Sequence, residues 1–558
     1  MAQAESKRQR FDKRLKELKT ERSGWESSWR DISDWIQPWR SRFTVSDANQ
    51  GTRRNTKLVN STPYLASRTL ASGMMAGVTS PARPWFKLEV PDPELMEIAG
   101  VKMWLYEVER RMRTALAQAN LYNALHQLYT ELGTFGTAAF VVVEDDEEIF
   151  RAVPLTAGTY YLATGHRQVV DTLYREFTMT VRQLVQQFGR DNVSEGVLRQ
   201  YESGSLENKV EVVHLIEPND ERNPSKQDNG NLAYRSCYYE KGASGQKLLS
   251  ESGFQEFPVM APRWEVLGED VYGYGPGHAA VGDARALQTM EKAKAKSVAK
   301  SVDPPMNVPS SMKNKRYSLL PGATNYIDVT GNGNAKAEPA VVQDNQLMRL
   351  LLEDIAKTED RLQRTFFADL FMMLANDTRS NITAREIQER HEEKLLMLGP
   401  VLERLQTELL DPLIDRVFGI MLRNGHLPEP PEEVQGAELR VEYVSVMAQA
   451  QRLVGVGAIE RIAGFVGNLA GADPSVLDKL DLDQTVDQYG QAVSAPPDII
   501  RSDDQVAEIR EQRAQAQQAQ QMAASAQQAA QGAKLLSETD TSTENGLTAL
   551  MRQMGIGQ

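Results

Sequence analysis

The sequence predicts an α+β protein that is mainly helical and contains several domains. Apolar residues recur at helical spacing over 7–39 and 93–133, which indicates long amphipathic helices. Between about 137 and 267 the pattern changes to short apolar or alternating segments separated by turn residues, as is typical of strands. Two further long helices, 278–302 and 344–371, enclose an irregular insert. A chain of 558 residues also exceeds the roughly 250 to 300 residues at which a single core stops growing.

Composition and charge exclude several classes of protein. Of the 558 residues, 41% are hydrophobic, and no apolar run approaches the roughly 18 residues that a membrane helix needs. The start, MAQAESKRQRFDKRLKELK, is too polar for a secretory signal, so we expect the chain to stay in the compartment that made it. The single cysteine, Cys237, excludes internal disulfides and a thiolate metal cluster. A net charge of −13 argues against a surface that binds nucleic acid everywhere, but it leaves room for local basic patches.

The first helix, 7–39, carries most of the tryptophans. Its apolar stripe includes Trp25, Trp29 and Trp39, is interrupted by Arg22, and is expected to end at Pro38. The stripe favours packing on a core. A stacking platform for DNA or lipid is the alternative.

A second helix is predicted over 61–78, and the segment SGMMAGVTSPARPW continues from its last turns. Gly73 and Gly77 place small residues where another backbone can approach closely. The prolines that follow fix an extended exit and deliver Trp85 into the core. Arg83 is then the residue that is free to reach a neighbouring subunit.

The glycine-rich GYGPG at 273–277 joins the strand-rich body to the helix 278–302. It lacks the lysine and the spacing of a phosphate-binding loop. We therefore interpret it as a hinge between the body and the two long helices.

The last turns of the first long helix are basic, although the protein as a whole is acidic. Lys292, Lys294, Lys296 and Lys300 lie there, with Glu291 as a partial offset. One interpretation is a set of solvated lysines that suit the C-terminal end of the helix dipole. The other is a ring of positive charge facing a phosphate backbone, which requires several copies of the chain. Spacing alone leaves both open.

The C-terminal third is predicted to be helical. Pro400 and Pro412 should kink a long helical stretch, 382–425, because each removes a backbone donor and clashes with the preceding turn. Short helices are expected over 440–500. A Gln/Ala-rich helix, 503–533, has too few large apolar residues to bury a face alone, so it needs neighbours of its own kind.

The search for a catalytic or cofactor site yields no convincing pattern. The six histidines are scattered singly, and RHEEK lacks the second histidine of a zincin. The acidic DKLDLD lacks the glycine and the glutamate of a calcium loop. We therefore predict no catalytic residue, no cofactor and no metal, and expect that the chain is not an enzyme.

Several long segments, in the same order, resemble the head-to-tail connector, or portal, proteins of short-tailed double-stranded DNA phages. These segments are RLKELKTERSGWESSWRDISDWIQP (14–38), LASGMMAGVTSPARPWFKL (70–88), VDTLYREFTMTVRQLVQQFG (170–189) and GEDVYGYGPGHAAVGDARALQTMEKAKAKSVAKSVDPPMNVP (268–309). FFADLFMML and NITAREIQER extend the resemblance past the second long helix. It covers about 10–430 and is weak beyond 440.

The resemblance implies a portal fold with a wing, a two-helix stem, a clip and a C-terminal helical crown. The implied parts are the wing body (1–277), stem helix 1 (278–302), the clip (303–343), stem helix 2 (344–371), the tunnel loop (372–381), a long kinked wing helix (382–440), the crown helices (441–533) and a flexible tail (534–558).

It also implies roles for particular residues. The tunnel-loop residues that would face DNA are Asp377, Thr378, Arg379, Ser380 and Asn381. The stem lysines that would line the channel are Lys292, Lys294, Lys296 and Lys300. The clip residues that would dock tail proteins are Lys313, Lys315, Arg316 and Tyr317, and Arg83 would contact a neighbouring subunit.

The implied assembly is a ring of twelve copies at one vertex of the capsid, formed in the host cytoplasm and retained in the virion. Its implied partners are double-stranded DNA in transit, the terminase large subunit, tail adaptor and nozzle proteins, major capsid and scaffolding proteins, and internal core or ejection proteins. No membrane and no cofactor are expected. Two alternatives stay open from the sequence: a non-portal structural adaptor of head or tail, and a nucleic-acid-processing enzyme.

Overall fold

The computed structural model of the chain forms two compact units. The first comprises Met1–Glu89, Glu107–Glu429 and Leu439–Ala448, and the second comprises Val90–Tyr106, Pro430–Glu438 and Gln449–Gln558. The residues that the structure describes are 6–40, 42–44, 51–223, 225–226, 228–243, 247–303, 306–307, 338–339, 345–375, 398–436, 439–443, 459–471, 473–492, 499, 501 and 503–538.

Helices dominate the described residues, as the sequence predicts. They are α1 (Lys7–Trp35), α2 (Thr62–Val78), α3 (Pro93–Glu97), α4 (Ala99–Gln118), α5 (Leu121–Phe135), α6 (Val181–Phe188), α7 (Glu195–Glu202), α8 (Pro276–Val302), α9 (Asn345–Thr365), α10 (Ala368–Ala375), α11 (Gly399–Leu405), α12 (Asp411–Arg423), α13 (459–470), α14 (Leu482–Ala492) and α15 (Asp503–Glu538).

The strands form antiparallel sheets, which confirms the α+β class. They are β1 (Phe86–Glu89), β2 (Ala139–Asp145), β3 (Ile149–Leu155), β4 (Tyr160–Thr164), β5 (Val170–Thr180), β6 (Lys209–Pro218), β7 (Tyr234–Glu240), β8 (Ser250–Phe254), β9 (Val259–Met260), β10 (Met306–Asn307), β11 (Glu338–Pro339) and β12 (Arg440–Tyr443). A five-stranded sheet has the order β4-β5-β6-β7-β8, and a three-stranded sheet has the order β3-β2-β9. The remaining pairs are β1 with β12 and β10 with β11.

Helix α1 lies on the five-stranded sheet. Ser6 caps it, and Gln9 completes the capping box by accepting from the Ser6 N–H at 2.9 Å. The core between helix and sheet consists of Phe11, Leu15, Leu18, Tyr161, Ala163, Tyr174, Val213, Leu215, Cys237 and Tyr239.

The predicted apolar stripe of this helix is confirmed at Trp29 and wrong at Trp39. Trp29 is 1% exposed, but the helix ends at Trp35 and Trp39 is 46% exposed. Arg22, which interrupts the stripe, is itself buried, because its guanidinium donates to the carbonyls of Gly158 and Tyr160 at 2.8 Å.

The single helix predicted over 93–133 is wrong. The structure divides it into α3, α4 and α5. The break between α4 and α5 falls at Asn120, whose side chain donates to the Ala152 carbonyl at 2.8 Å and accepts from the Ala152 N–H at 2.9 Å. These bonds to a strand 32 residues away hold the chain out of a continuous helix.

The second long helix also differs from its predicted range of 344–371. It stops at Thr365, and Phe367 adopts φ +52, a left-handed conformation that ends a helix, before α10 begins. The turn brings Phe371 against Gly73 of α2, where a Cβ would overlap the Phe371 ring. The close approach at Gly73 is therefore made by a side-chain ring and not, as was expected, by another backbone. Gly77 has open space around it, so the same expectation is wrong there.

The proline-containing helix near 400 is interrupted as predicted, although by a different geometry. Pro400 lies in the first turn of α11 rather than at a kink. A π-helical turn, Gln406–Leu410, precedes Pro412, and such a turn accommodates the missing donor and the bulk of a proline. Residues 382–397 of this predicted helix lie outside the described part of the chain.

The second unit has little buried interior among its described residues. Ile462, Phe465 and Leu469 form an exposed stripe on α13. Within this unit Arg510 of α15 pairs with Asp483 of α14 at 2.7 Å. The Gln/Ala-rich helix is longer than predicted, since it extends to Glu538 rather than to 533. The predicted tail beyond Glu538 lies outside the described residues.

Candidate functional site

Helices α8 and α9 pack side by side in the first unit, and α8 carries the four predicted stem lysines. Their contact is apolar, with Leu287 of α8 and Ile355 and Leu362 of α9 buried. A solvent-accessible ion pair also links the two helices: Arg361 of α9 donates to both carboxylate oxygens of Asp283 of α8, at 3.0 and 3.3 Å.

The glycines before α8 are fixed rather than hinge-like, so the hinge interpretation is wrong. A Cβ on Gly273 would lie 2.6 Å from the Gly136 carbonyl oxygen, and one on Gly275 would lie 2.9 Å from the Gly136 Cα. A Cβ on Gly277 would overlap the Thr134 carbonyl. Glycine is needed here because the start of α8 is pressed against the end of α5.

A buried amide ties α8 to the segment that leads into α2. Gln288 is fully buried; its Oε1 accepts from the N–H groups of Val59 and Asn60 at 2.7 and 2.8 Å, and its Nε2 donates to the Asn60 carbonyl at 2.9 Å. The Asn60 amide in turn donates to Glu359 of α9 at 2.7 Å and to Glu291 of α8 at 3.1 Å. One network therefore fixes the base of the helix pair to the body.

The four predicted lysines separate into two groups. Lys292, Lys296 and Lys300 are exposed and four residues apart, so they fall within about 80° of one another around the helix. Lys296, at their centre, is nine residues from the buried Leu287 and so lies about 180° from it around the helix. We call these three residues the lysine stripe.

Lys294 does not belong to the stripe. Its Nζ lies 2.6 Å from Glu291, and it is half-buried on the side of the helix that carries Leu287, seven residues away. The negative charge of Glu291 thus offsets the charge of Lys294. None of the three stripe lysines forms an ion pair with another residue of the described ranges.

Arg83 turns back onto α2, the helix that precedes it. Its Nη2 donates to the carbonyl of Ala76 at 2.6 Å, which satisfies an orphan acceptor at the end of α2. Burial lowers the pKa of Arg83. Trp85 and Phe86 are buried, as predicted. The role of Arg83 toward a neighbouring subunit stays a prediction.

The remaining predicted site residues lie outside the described part of the chain. They are Asp377, Thr378, Arg379, Ser380, Asn381, Lys313, Lys315, Arg316 and Tyr317. The structure does describe the chain on either side. Helix α10 ends at Ala375, and β10 pairs with β11, which joins the two ends of the 303–343 segment at Met306 and Pro339.

The sequence did not reveal the buried polar groups that fix this region. Arg263 is 2% exposed and donates to Glu408 through Nε at 3.2 Å and Nη2 at 2.7 Å. Asn60 and Gln288 are 228 residues apart. No periodic pattern predicts such pairs, because each depends on which segments meet in the fold.

The described residues contain no cluster of three or more side chains suited to hold a metal ion. Among the same residues, no helix combines the length and the apolarity needed to cross a bilayer.

The sequence matches the model of a family described as bacteriophage head to tail connecting protein, over residues 8–500. The chain belongs to this family. A portal protein of Salmonella phage epsilon15 is 50% identical to it over 556 residues, which cover all of both chains. A probable portal protein of Bordetella phage BPP-1 is 45% identical over 537 residues, or 96% of each chain. The resemblance to portal proteins of short-tailed phages is therefore confirmed.

A solved structure of the virion of a native gene transfer agent particle contains a chain that aligns with 75% of this chain and 90% of its own length, at a TM-score of 0.35 and 12% identity. The family assignment depends on the sequence relatives. It identifies a structural component that connects the head and the tail of a phage.

Proposed function

We propose that twelve copies of this chain form a ring at one capsid vertex, and that double-stranded DNA passes through the ring during packaging and ejection. Helices α8 and α9 form the stem around the channel, and the lysine stripe faces the DNA. The observation that carries this proposal is the position of Lys292, Lys296 and Lys300: exposed, along one side of α8, and centred opposite the buried Leu287.

The overall charge fits a channel through which DNA slides. Twelve copies at −13 each carry a formal charge of −156, which repels a polyanion from most of the inner surface. Many phosphate contacts would release many counterions and bind DNA too tightly to move. A few lysines per subunit keep the duplex centred without holding it.

The other parts follow the order of the chain. The segment 303–343 serves as the clip that meets the terminase large subunit and later the tail adaptor and nozzle proteins, through Lys313, Lys315, Arg316 and Tyr317. The pairing of β10 with β11 supports this, since it lets the insert leave and re-enter the stem at one point.

Residues 372–381 serve as the tunnel loop, with Arg379 at the DNA. Of these, 372–375 belong to the last turn of α10 and 376–381 follow it, beyond the end of α9 that lies away from the clip.

The α+β body and α11–α12 serve as the wing, which contacts the major capsid and scaffolding proteins. Helix α15 serves as part of the crown toward internal core or ejection proteins. Its exposed, Ala-rich surface supports packing against copies of itself. Energy for packaging comes from the terminase, and the ring acts as a passive conduit.

The lysine stripe can be tested with a matched control in the same helix. We expect Lys292→Ala, Lys296→Ala and Lys300→Ala together to leave ring assembly intact and to alter the amount of DNA packaged or retained per particle. Lys294→Ala should leave DNA unchanged, because its charge is neutralised by Glu291. Equal behaviour of the triple variant and the control would contradict the proposal and favour solvated lysines.

A further inference from the structure

The outer side of α2 carries an exposed group of aromatic and basic residues. Trp39 is 46% exposed, and its ring lies edge-on to Tyr64 with 4.9 Å between centres. Leu65 is 54% exposed, and the Arg68 guanidinium carbon lies 5.8 Å from the Tyr64 ring centre. We call these four residues the aromatic–basic patch. Trp, Tyr and Arg are the side chains that dominate binding free energy at protein interfaces.

The surroundings of this patch are positive. The pKa of His126 is lowered, first by burial and then by the charges of Arg68 and Arg40. The stretch 39–68 contains six arginines and lysines and one acidic residue, in a protein of net charge −13. Two of the six, Arg40 and Lys57, pair with Glu131 and Asp34, and the others keep the stretch positive. The patch is therefore suited to an acidic partner surface.

The same unit carries an acidic turn between β2 and β3. Glu144 pairs there with Arg416 and Arg423, and Asp145 and Glu148 pair with Arg151, so Asp146 and Glu147 carry the charge left for a partner. Residues 144–148 are five consecutive acids, which we call the acidic hairpin. Its shape is fixed, because Asp145 Oδ1 accepts from the N–H groups of Glu147 and Glu148 at 3.0 Å each. Asp146 and Glu147 are exposed at its tip.

Both surfaces belong to elements that pack against α5. Residues 128–135 of this helix are all buried, so it is covered on every side. Helix α2 packs against it at Gly133, where a Cβ would overlap Leu70, and strands β2 and β3 pack against it from elsewhere. The aromatic–basic patch faces outward from α2, and the acidic hairpin extends beyond the strands. One copy therefore presents an exposed basic surface and an exposed acidic surface on two separate elements around α5.

We propose that the acidic hairpin of one copy binds the aromatic–basic patch of the next copy. Such a contact is heterologous, and repeated contacts of this kind close into a ring. The inference rests on the ring of the proposed function and names the surfaces that form it. Duplex DNA fits the patch less well, since phosphates gain nothing from the exposed apolar surface of Trp39 and Leu65.

Cysteine cross-linking tests this contact directly. The native Cys237 is fully buried, and burial raises the pKa of its thiol to about 12, so the background is low. We expect the full-length L65C/D146C variant, once oxidised, to form a ladder of covalent oligomers. A mixture of the single variants L65C and D146C should yield dimers, and L65C alone should yield none. Rings without any cross-link would overturn the inference, whereas the absence of rings in the wild type would instead contradict the proposed function.

Charge reversal provides a second readout. We expect D146K/E147K to reduce ring formation at least about tenfold at low salt, measured by mass photometry, and added R68E to recover part of the loss. The control E202K/E207K has the same charge change at two other exposed positions and should assemble as the wild type does. Normal assembly of D146K/E147K would contradict the contact. So would an R68E ring that assembles normally but binds less duplex DNA, which would identify the patch as a DNA surface.

Discussion

The body of the first unit and the last turns of α8 differ in how their charged and polar side chains are placed. In the body such groups are buried and bonded, as with Arg263 and Glu408, or Gln288 and the backbone at Asn60. Along the end of α8, Lys292, Lys296 and Lys300 are exposed. Buried polar groups are costly to leave unpaired, whereas exposed lysines contribute little to stability. The comparison indicates that polar groups in the body hold the fold, whereas the lysines at the end of α8 are open to solvent.

The largest loss of stability should follow from breaking the buried ion pair between Arg263 and Glu408. We expect Arg263→Leu to destabilise the protein by about 3 to 5 kcal/mol, because it leaves the buried Glu408 carboxylate without its main partner. Arg404 also contacts Glu408, at 3.1 Å, but is more exposed, so Arg404→Leu is the matched control and should cost less. The midpoint of urea unfolding measures both. Equal losses of stability in the two variants would mean that burial does not determine how much this ion pair contributes to the free energy of unfolding.

A smaller loss of stability is expected where Gln288 joins α8 to the segment before α2. Gln288→Leu removes the acceptor for the Val59 and Asn60 N–H groups and should cost about 2 to 3 kcal/mol. Amide hydrogen exchange of the peptide that contains these two residues should become faster. Unchanged protection there would show that the network does not fix the stem to the body.

A buried carboxyl in the body should make stability depend on pH. Burial raises the pKa of Glu109 to about 7, although its carboxylate accepts from the Leu88 N–H at 2.8 Å. Since the folded protein holds this proton between about pH 4.5 and 7 and the unfolded chain does not, stability falls as the pH rises through that window.

Glu109→Gln keeps the acceptor and removes the charge. We expect the variant to be about 2 to 3 kcal/mol more stable than the wild type at pH 8, with the difference vanishing near pH 4.5. Thermal unfolding at the two pH values measures this. A stability difference between the variant and the wild type that is the same at both pH values would contradict the raised pKa of Glu109.

The smallest effect on stability should come from the stem. The combined Lys292→Ala, Lys296→Ala and Lys300→Ala variant should unfold within about 0.5 kcal/mol of the wild type, because the three side chains contact water. A large loss of stability would mean that these lysines are structural, and the comparison would fail.

Much of this could be predicted from the sequence, but not where distant segments meet. Periodicity predicted α8 within two residues, since its pattern is local. It missed the break at Asn120, which is held by Ala152, and the pairing of β1 with β12 across some 350 residues. The separation of Lys294 from the stripe was available in principle, because a spacing of two places it on another side of the helix.

The central claim is that the lysine stripe faces a channel formed by a ring of copies. The most direct measurement is an electron cryomicroscopy reconstruction of the assembled protein, viewed along its axis at side-chain resolution. We predict twelve subunits with Lys292, Lys296 and Lys300 directed into the central channel and Lys294 directed toward Glu291. A closed ring whose channel is lined by another side of α8, or an assembly without a channel, would contradict the account.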